Sequence, residues 1–326
     1  MALVPAAARA DATVTVNLND NGRALAQDLG DNPAEVIQRV TDRVNALYQL
    51  ENLHGFLTAI GDANAAANRG LGVDYAAQPG EIVFGAVGSA IGAGGPTFGA
   101  STIAAGDIYN FGLFAGVSLA RWGVPVTVFA NGYYETVTIE QLSGHLTTFG
   151  IHAQWRALPS VGKGDVRWVG LDVTSGLEYA HDAVGANAPL VQKFTVQGNT
   201  AGASRNLTLT SIGTLSLVAS TVAIPVIVST GVRLSGVDVY VGAGVDFTSG
   251  STTLTSGLTG DLSTTSDMVP LGTVAITASD SVKSSPAVLR ALAGVQLDVW
   301  HIHVYLQGDA SQTASSASFG IRVLFQ

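Results

Sequence analysis

The sequence predicts an all-β membrane protein: an antiparallel transmembrane β-barrel of about 12 strands (range about 10–14), with an N-terminal helical segment before it. Three observations predict it. Of the 326 residues, 47% are hydrophobic and only 12% charged, with a mean hydropathy of +0.35, whereas soluble domains carry about 25% charged residues. No apolar run approaches the roughly 18 residues that a membrane helix needs. The hydrophobicity is spread instead over short segments in which apolar and polar side chains alternate at period two, the signature of strands. A barrel strand crosses lipid with about 9–11 residues, of which half face the lipid.

Composition also excludes. There is no cysteine, so no disulfide, thiol nucleophile or thiolate metal site is expected. A net charge of −9 and a pI near 4.9 argue against nucleic acid as a partner, which needs a basic face. The chain divides into three parts: residues 1–10, 11–80 and 81–326. In the first, Ala8-Arg9-Ala10 fits the small-x-small rule for export-signal cleavage, so 1–10 reads as the tail of an export signal.

Residues 11–18 form a short strand-like piece. A helix follows. Asn32 is placed as its N-cap, Pro33 at the first helical position and Glu35 three residues after the cap. Val36, Val40, Val44 and Leu47 recur at helical spacing, so one apolar face runs toward His54, with Gly55 ending or interrupting it before Phe56 to Ile60. Residues 61–70, rich in Ala and Asn, add a further turn. This element is too short and too charged to span a bilayer. It sits either inside the barrel as a plug, for which Val36, Val40, Val44 and Leu47 are the candidate residues, or below the barrel in the periplasm.

From Glu81 the period changes to two. Strands are predicted near 82–91, 108–120, 124–137, 145–157, 166–180, 189–197, 206–218, 222–234, 237–248, 287–299, 301–310 and 316–326. In each, one face is apolar and the other is small or polar with isolated charges, which suits a crowded lumen better than a sheet facing bulk water. Tight turns are predicted at Arg121-Trp122-Gly123, Leu234-Ser235-Gly236 and Val299-Trp300-His301. Long connections are predicted at 92–107, 181–188 and 249–286, the last with a possible extra hairpin from Leu254 and Val274-Ala275-Ile276. In bacterial barrels short turns are periplasmic and long loops extracellular. Between Leu217 and Val222 the apolar residues slip from odd to even positions. A turn at Ala219-Ser220-Thr221 gives twelve strands; a bulge gives one long strand and a ten-stranded barrel. Trp168 falls on the polar-face parity, hence toward the lumen.

The polar faces supply the candidate lumen lining: His152, Gln154, Arg156, Asp172, Glu178, Asp238, Tyr240, Asp246, Arg290, Gln296, Asp298, His301, His303 and Arg322. Two readings attach to its charges: mutual satisfaction, because buried charges need partners, and selection of ions or solutes. The i, i+2 pair His301 and His303 could begin a metal site with Asp298 or Asp309, but a polar lining is the expected role, and neither metal nor cofactor is predicted. The apolar faces carry no histidine, so catalysis at the lipid rim is not expected either.

The final strand, Ser315 to Gln326, sets Ala317, Phe319, Ile321, Val323 and Phe325 on one face and Arg322 on the other, with Leu324 as the exception. Its FGIRVLFQ resembles the C-terminal strand of Gram-negative outer-membrane β-barrel proteins. That family signal usually ends on an aromatic residue; here Phe325 is penultimate. The resemblance covers about residues 80–326. It implies a bacterial outer-membrane location, contact with outer-membrane lipids, and recognition by the barrel-assembly machinery through Phe319, Ile321, Val323 and Phe325. The helical segment before the barrel is similar to that of plugged transporters of fatty acids and hydrocarbons, without a diagnostic motif. Two functions are expected: a pore or transporter whose lumen is restricted by the N-terminal helix, or a closed structural or surface-interaction barrel that works through long loops.

Overall fold

A computed structural model describes residues 11–47, 53–70, 82–93, 106–162 and 165–325. It holds three helices, α1 (Asp20–Asp28), α2 (Pro33–Leu47) and α3 (Leu53–Ala65). The strands are β1 (Asp11–Leu18), β2 (Ile82–Ala93), β3 (Gly106–Ser118), β4 (Val126–Ile139), β5 (Leu142–Leu158), β6 (Val166–Gln197), β7 (Ser204–Leu234), β8 (Val237–Thr264), β9 (Pro270–Lys283), β10 (Ala287–Val299), β11 (Ile302–Ser311) and β12 (Ala314–Phe325). All pair antiparallel in one sheet that closes on itself. Among the described residues no helix is long and apolar enough to cross a membrane.

Ten strands close the ring: β8, β10, β11, β12, β2, β3, β4, β5, β6 and β7, with β7 returning to β8. Near Thr248 the partner of β8 changes. Val237–Phe247 pairs with β10, whereas Ser251–Ser263 pairs with β9, and β1 adds beyond β9. The far halves of β6, β7 and β8 therefore leave the ring and form, with β9 and β1, a five-stranded sheet standing on one end of the barrel. We refer to that sheet with its helices as the head. The opposite rim carries the short connections at Ala120–Trp122, Ser235-Gly236 and Trp300-His301, and the start of β2 at Ile82 beside Phe325.

Two predicted loops are strand instead. Residues 181–188 lie inside β6, and most of 249–286 is the far half of β8 together with β9, the extra hairpin expected from Leu254 and Val274-Ala275-Ile276. Nor is there a turn or a bulge at Ala219-Ser220-Thr221: β7 keeps one register with β6 from Ala183↔Val218 through Glu178↔Ala223. The phase slip has a different cause. Odd residues of β7 face inward along its whole length, but below Thr221 the outward residues are apolar (Val222, Ile224, Val228), and above it the buried inward ones are (Leu207, Leu209, Leu217). β8 inverts likewise, from outward Val239, Val241 and Phe247 to inward Leu254, Leu258 and Leu262, with Thr255, Thr259 and Asp261 exposed. Lipid demands an apolar outer face; water demands a polar one over an apolar core. The inversion marks the level at which the surroundings change from one to the other. On β8 the outward apolar run Val237–Phe247 covers about 33 Å of strand, or about 25 Å of height at a tilt near 40°, the apolar band of a membrane barrel.

The head core explains α2. Its capping box is closed: Asn32 Oδ1 accepts from Glu35 N–H at 3.0 Å, and Glu35 Oε2 accepts from Asn32 N–H at 2.8 Å. Val36, Val40 and Val44 are buried against Leu207, Leu209, Leu258, Leu262, Leu271 and Val274, together with Leu25 of α1 and its C-cap residue Leu29. These three candidate plug residues thus pack on the head and not in the lumen, because their apolar face needs an apolar partner and the lumen offers charges. The side chain of Leu47 lies outside the described residues, as do residues 1–10.

A bulge does occur lower down, on β6. The β6–β7 register shifts between Trp168 and Leu171, with Gly170 at φ +105°. The shift turns Trp168 to the side of outward Val232, where its indole N–H donates to Thr230 Oγ1 at 2.7 Å, and turns Val169 inward, buried with Ile227, Tyr240 and Leu292. Trp168 sits opposite to its predicted face for that reason.

Candidate functional site

The lumen is the candidate site, and what occupies it is the end of α3. The helix starts in the head, where Leu57 is buried with Leu217, Leu254 and Val282. It then descends. Asn64, fully buried, donates to the Ala180 carbonyl at 3.2 Å and to Thr221 Oγ1 at 3.1 Å, the level at which the strands invert. Ala63 and Ala66 pack on Ile91, Ala93 and Ala314. Further in, Asn68 Nδ2 donates to the Tyr179 carbonyl at 3.0 Å and Asn68 Oδ1 accepts from Asn131 at 2.8 Å, while Asn110 donates to the Ala67 carbonyl at 2.5 Å. Gly70 ends the described segment against Ser89 and Ser318, with Tyr305 O–H donating to its carbonyl at 3.3 Å. Gly70 has φ +84°, and an added Cβ would fall 1.7 Å from Ser318 Oγ, so only glycine fits. The small side chains of Gly61-Asp62-Ala63-Asn64-Ala65-Ala66-Ala67-Asn68 give a segment thin enough for a ten-stranded lumen.

An ion cluster fastens it. Arg69 Nη2 donates to Asp246 Oδ2 at 2.9 Å and Nη1 to Ser311 Oγ at 3.1 Å. Arg290 Nε lies 3.3 Å from Asp246 Oδ1, and its Nη1 3.9 Å from Asp309 Oδ1. Gln307 links in, donating to Asp309 at 2.9 Å and accepting from Tyr240 O–H at 3.2 Å. Nearby Glu178 is 3.9 Å from His152 Nδ1, and His152 Nε2 is 3.0 Å from Asn131 Oδ1 with its ring stacked on Phe129.

A second cluster sits toward the short-turn rim. Arg233 bridges Asp238 and Asp298. Gln296 donates to Asp298 at 2.6 Å, lies 3.0 Å from His303 Nδ1 and accepts from Arg322. His303 Nδ1 is 2.8 Å from Asp298 Oδ1. Arg156 pairs with Asp172 at 3.1 Å, and Gln154 is buried with neither amide atom hydrogen-bonded to a described residue. Below these, Val83, Val87, Phe114, Tyr305 and Leu324 make an apolar floor, which accounts for the exceptional parity of Leu324.

Thirteen of the fourteen candidate lining residues point to the lumen side. His301 does not: it is exposed in the turn after Trp300, whose φ of +57° breaks the alternation before β11 begins. The two imidazoles therefore do not share a face, and among the described residues no cluster of three or more His, Cys, Asp or Glu could hold a metal ion. Phe319, Ile321 and Phe325 lie exposed on the outer face of β12, with Val323 between them on the same face. Outside the membrane-spanning strands, burial pushes the Asp62 carboxyl above the usual range, opposed by Arg69 and a hydrogen bond from Ser285. Arg69, Asn64, Asn68 and Arg233 were not singled out by the sequence. The signal for the first three was present: asparagines and one arginine in an otherwise small-residue stretch, polar groups that cannot be buried unless they meet partners.

A family model described as Lsa36-like matches residues 97–325. No curated protein matches. Among solved structures, the toluene transporter TbuX of Ralstonia pickettii is 9% identical over 85% of this chain and 100% of its own, with a TM-score of 0.30. Ail, the attachment invasion locus protein of Yersinia pestis, is 8% identical over 76% and 100%, with a TM-score of 0.25. The translocator domain of the autotransporter NalP from Neisseria meningitidis is 11% identical over 76% and 88%, with a TM-score of 0.30.

Proposed function

The chain belongs to the Lsa36-like family, and from that starting point we propose that it is a bacterial outer-membrane barrel, sealed by its own α3 segment, that acts through the head it holds beyond the bilayer. The observation that carries the sealed lumen is the Arg69–Asp246 pair, 2.9 Å apart with side chains 3% and 4% exposed. An arginine on the inserted segment and an aspartate on the wall satisfy each other where water is scarce, and removing either leaves a buried charge. The outer-membrane setting is supported by the outward apolar band and the all-strand crossing. In that setting the short-turn rim faces the periplasm and the head stands outside the cell. The partners of such a barrel are outer-membrane lipids along the band and the assembly machinery at β12.

A gated pore for small solutes is the second reading, favoured by the kind of bonds that hold the segment. Asn64, Asn68 and Arg69 are tied by hydrogen bonds to polar wall atoms, each worth about 0.5–1.5 kcal/mol net, somewhat more when charged. Such ties exchange with water more readily than apolar packing does. Planar-bilayer conductance separates the readings. The unaltered chain should be silent, and the triple variant Asn64→Ala, Asn68→Ala, Arg69→Ala should conduct. Step openings of the unaltered chain at moderate voltage would favour the gated pore. A triple variant that folds, yet stays silent, would mean that the segment is not what seals the lumen.

A further inference from the structure

The direction of the chain through the barrel carries an inference beyond closure. β1, α1 and α2 belong to the head. The next described residues, 53–70, run from the head into the lumen: Leu57 at the head core, Asn64 at the inversion level, and Gly70 beside Ser89 and Ser318, which pair with each other across β2 and β12. The chain resumes at Ile82, paired with Phe325 on the short-turn rim. Ser89 is seven residues above Ile82, about 23 Å of strand. Twelve peptide steps separate Gly70 from Ile82, a reach of about 40 Å. Gly70 thus lies inside the ring, and Ile82 lies at the rim opposite the head.

We infer that the barrel is the conduit of its own N-terminal part: residues 11–47 reach the far face of the outer membrane through the ring that residues 82–325 form, and 53–70 remain inside as the trailing length. This rests on the outer-membrane reading given above. The head cannot make the passage folded. Its α1 and α2 pack on β1, β9 and the far halves of β6, β7 and β8, an assembly wider than a ten-stranded lumen, which has room for little more than side chains. Residues 11–47 are therefore threaded unfolded, and they dock when β1 pairs with β9 on the outside. Part of the lining beside the inserted segment is small and polar (Ser89, Ser318, Asn110, Asn131) and offers hydrogen bonds to a passing backbone.

The chain has no cysteine, which makes single-cysteine mapping direct. The full chain, exported in Gram-negative cells, is given Asp20→Cys on α1, or Trp300→Cys in the short-turn rim, where Trp300 is 95% exposed. Cells are treated with a bulky membrane-impermeant maleimide before and after the outer membrane is permeabilised. Asp20→Cys should label on intact cells and Trp300→Cys only after permeabilisation. Labelling of both on intact cells, of neither, or of Trp300→Cys alone, in a chain that still shows the heat-modifiable gel shift of a folded barrel, overturns the inference. A chain without that shift that washes out of membranes in alkaline carbonate overturns the outer-membrane reading, and the inference with it. A second variant tests the path itself. Asn64→Cys with Thr221→Cys, whose native side chains are 3.1 Å apart, should form a disulfide that changes mobility until reduced. Its absence in a heat-modifiable chain shows that the segment does not pass through the lumen.

Discussion

Replacing Arg69 by alanine tests how firmly the lumen is closed. Arg69 is 4% exposed, and its guanidinium donates to Asp246 at 2.9 Å and to Ser311 at 3.1 Å. Removing one partner of a buried pair costs about 3–5 kcal/mol when the other is left alone. Asp246 is not left alone, because Arg290 stays 3.3 Å from its other oxygen. That contact lacks hydrogen-bond geometry on both atoms, so it compensates only in part, and a cost of about 2–3 kcal/mol is expected. The cost falls on the seated segment and spares the ring, whose ladders do not involve Arg69. It should appear as a shift between seated and unseated states of the segment of about 30- to 140-fold at 1.4 kcal/mol per decade. The assay is the frequency of openings in a planar bilayer for the unaltered chain, Arg69→Ala, and Arg69→Ala combined with Asp246→Asn. The frequency should rise in the single variant and fall back toward the original in the double, which no longer buries an underpaired carboxylate. An unchanged frequency in the single variant, with the heat-modifiable shift retained, refutes the claim that this ion pair holds the segment. Equal single and double variants refute the role given to Asp246.

Three more outcomes follow from the packing. Leu209→Ala removes a fully buried side chain from the head core and should cost about 2–5 kcal/mol; limited proteolysis should then cut α1 and α2, while the barrel keeps its gel shift. Gly320→Ala places a Cβ 2.2 Å from the Tyr305 ring, which lies over that glycine from the neighbouring strand; it should destabilise by about 1–3 kcal/mol, read as a lower temperature for loss of the gel shift, and Tyr305→Ala in the same chain should recover part of it. Asp62 has its folded pKa raised above the unfolded value, mainly by burial. The folded state therefore holds the proton more tightly, and the stability that this contributes is present at low pH and lost as pH rises between the two pKa values. Asp62→Asn should raise head stability at neutral pH and flatten that pH dependence in thermal melts; a variant that melts lower at neutral pH, with its slope unchanged, would refute the burial argument.

Much of the barrel was legible because lipid imposes a rule that a sequence cannot hide: apolar out at every second residue. That rule located β2, β10, β11 and β12 within a residue or two. It failed where the environment changed and the strand did not. Leu254, Leu258 and Leu262 recur every fourth residue, a multiple of two, so they share one strand face, but the threonines and glycines between them look like loop. Residues 181–188 of β6 cross the inversion level, where neither face is strongly apolar, and the pattern vanishes for one turn of alternation. α2 was legible as a helix from its capping box, but not as a head helix, since its partners Leu207 and Leu209 lie more than 160 residues away in sequence. The lining residues were legible by parity; their pairings were not, because register across non-adjacent strands and the bulge at Gly170 are tertiary facts. Arg69 was hidden for the same reason: its aspartate is 177 positions away.

The head has no stalk. β6, β7 and β8 run 32, 31 and 28 residues from the short-turn rim to the turns of the head, so the wall of the barrel and the sheet above it are one piece of hydrogen-bonded ladder. Such a piece behaves as a mast and not as a tether. From Ser251 to Thr264 it rises about 43 Å along the strand, or about 33 Å of height at a tilt near 40°, and it cannot sweep a volume as a domain on a flexible linker does. Whatever meets it must come within that fixed radius of the membrane and match its orientation, and a pull on its tip loads the same strands that line the lumen beside Arg69.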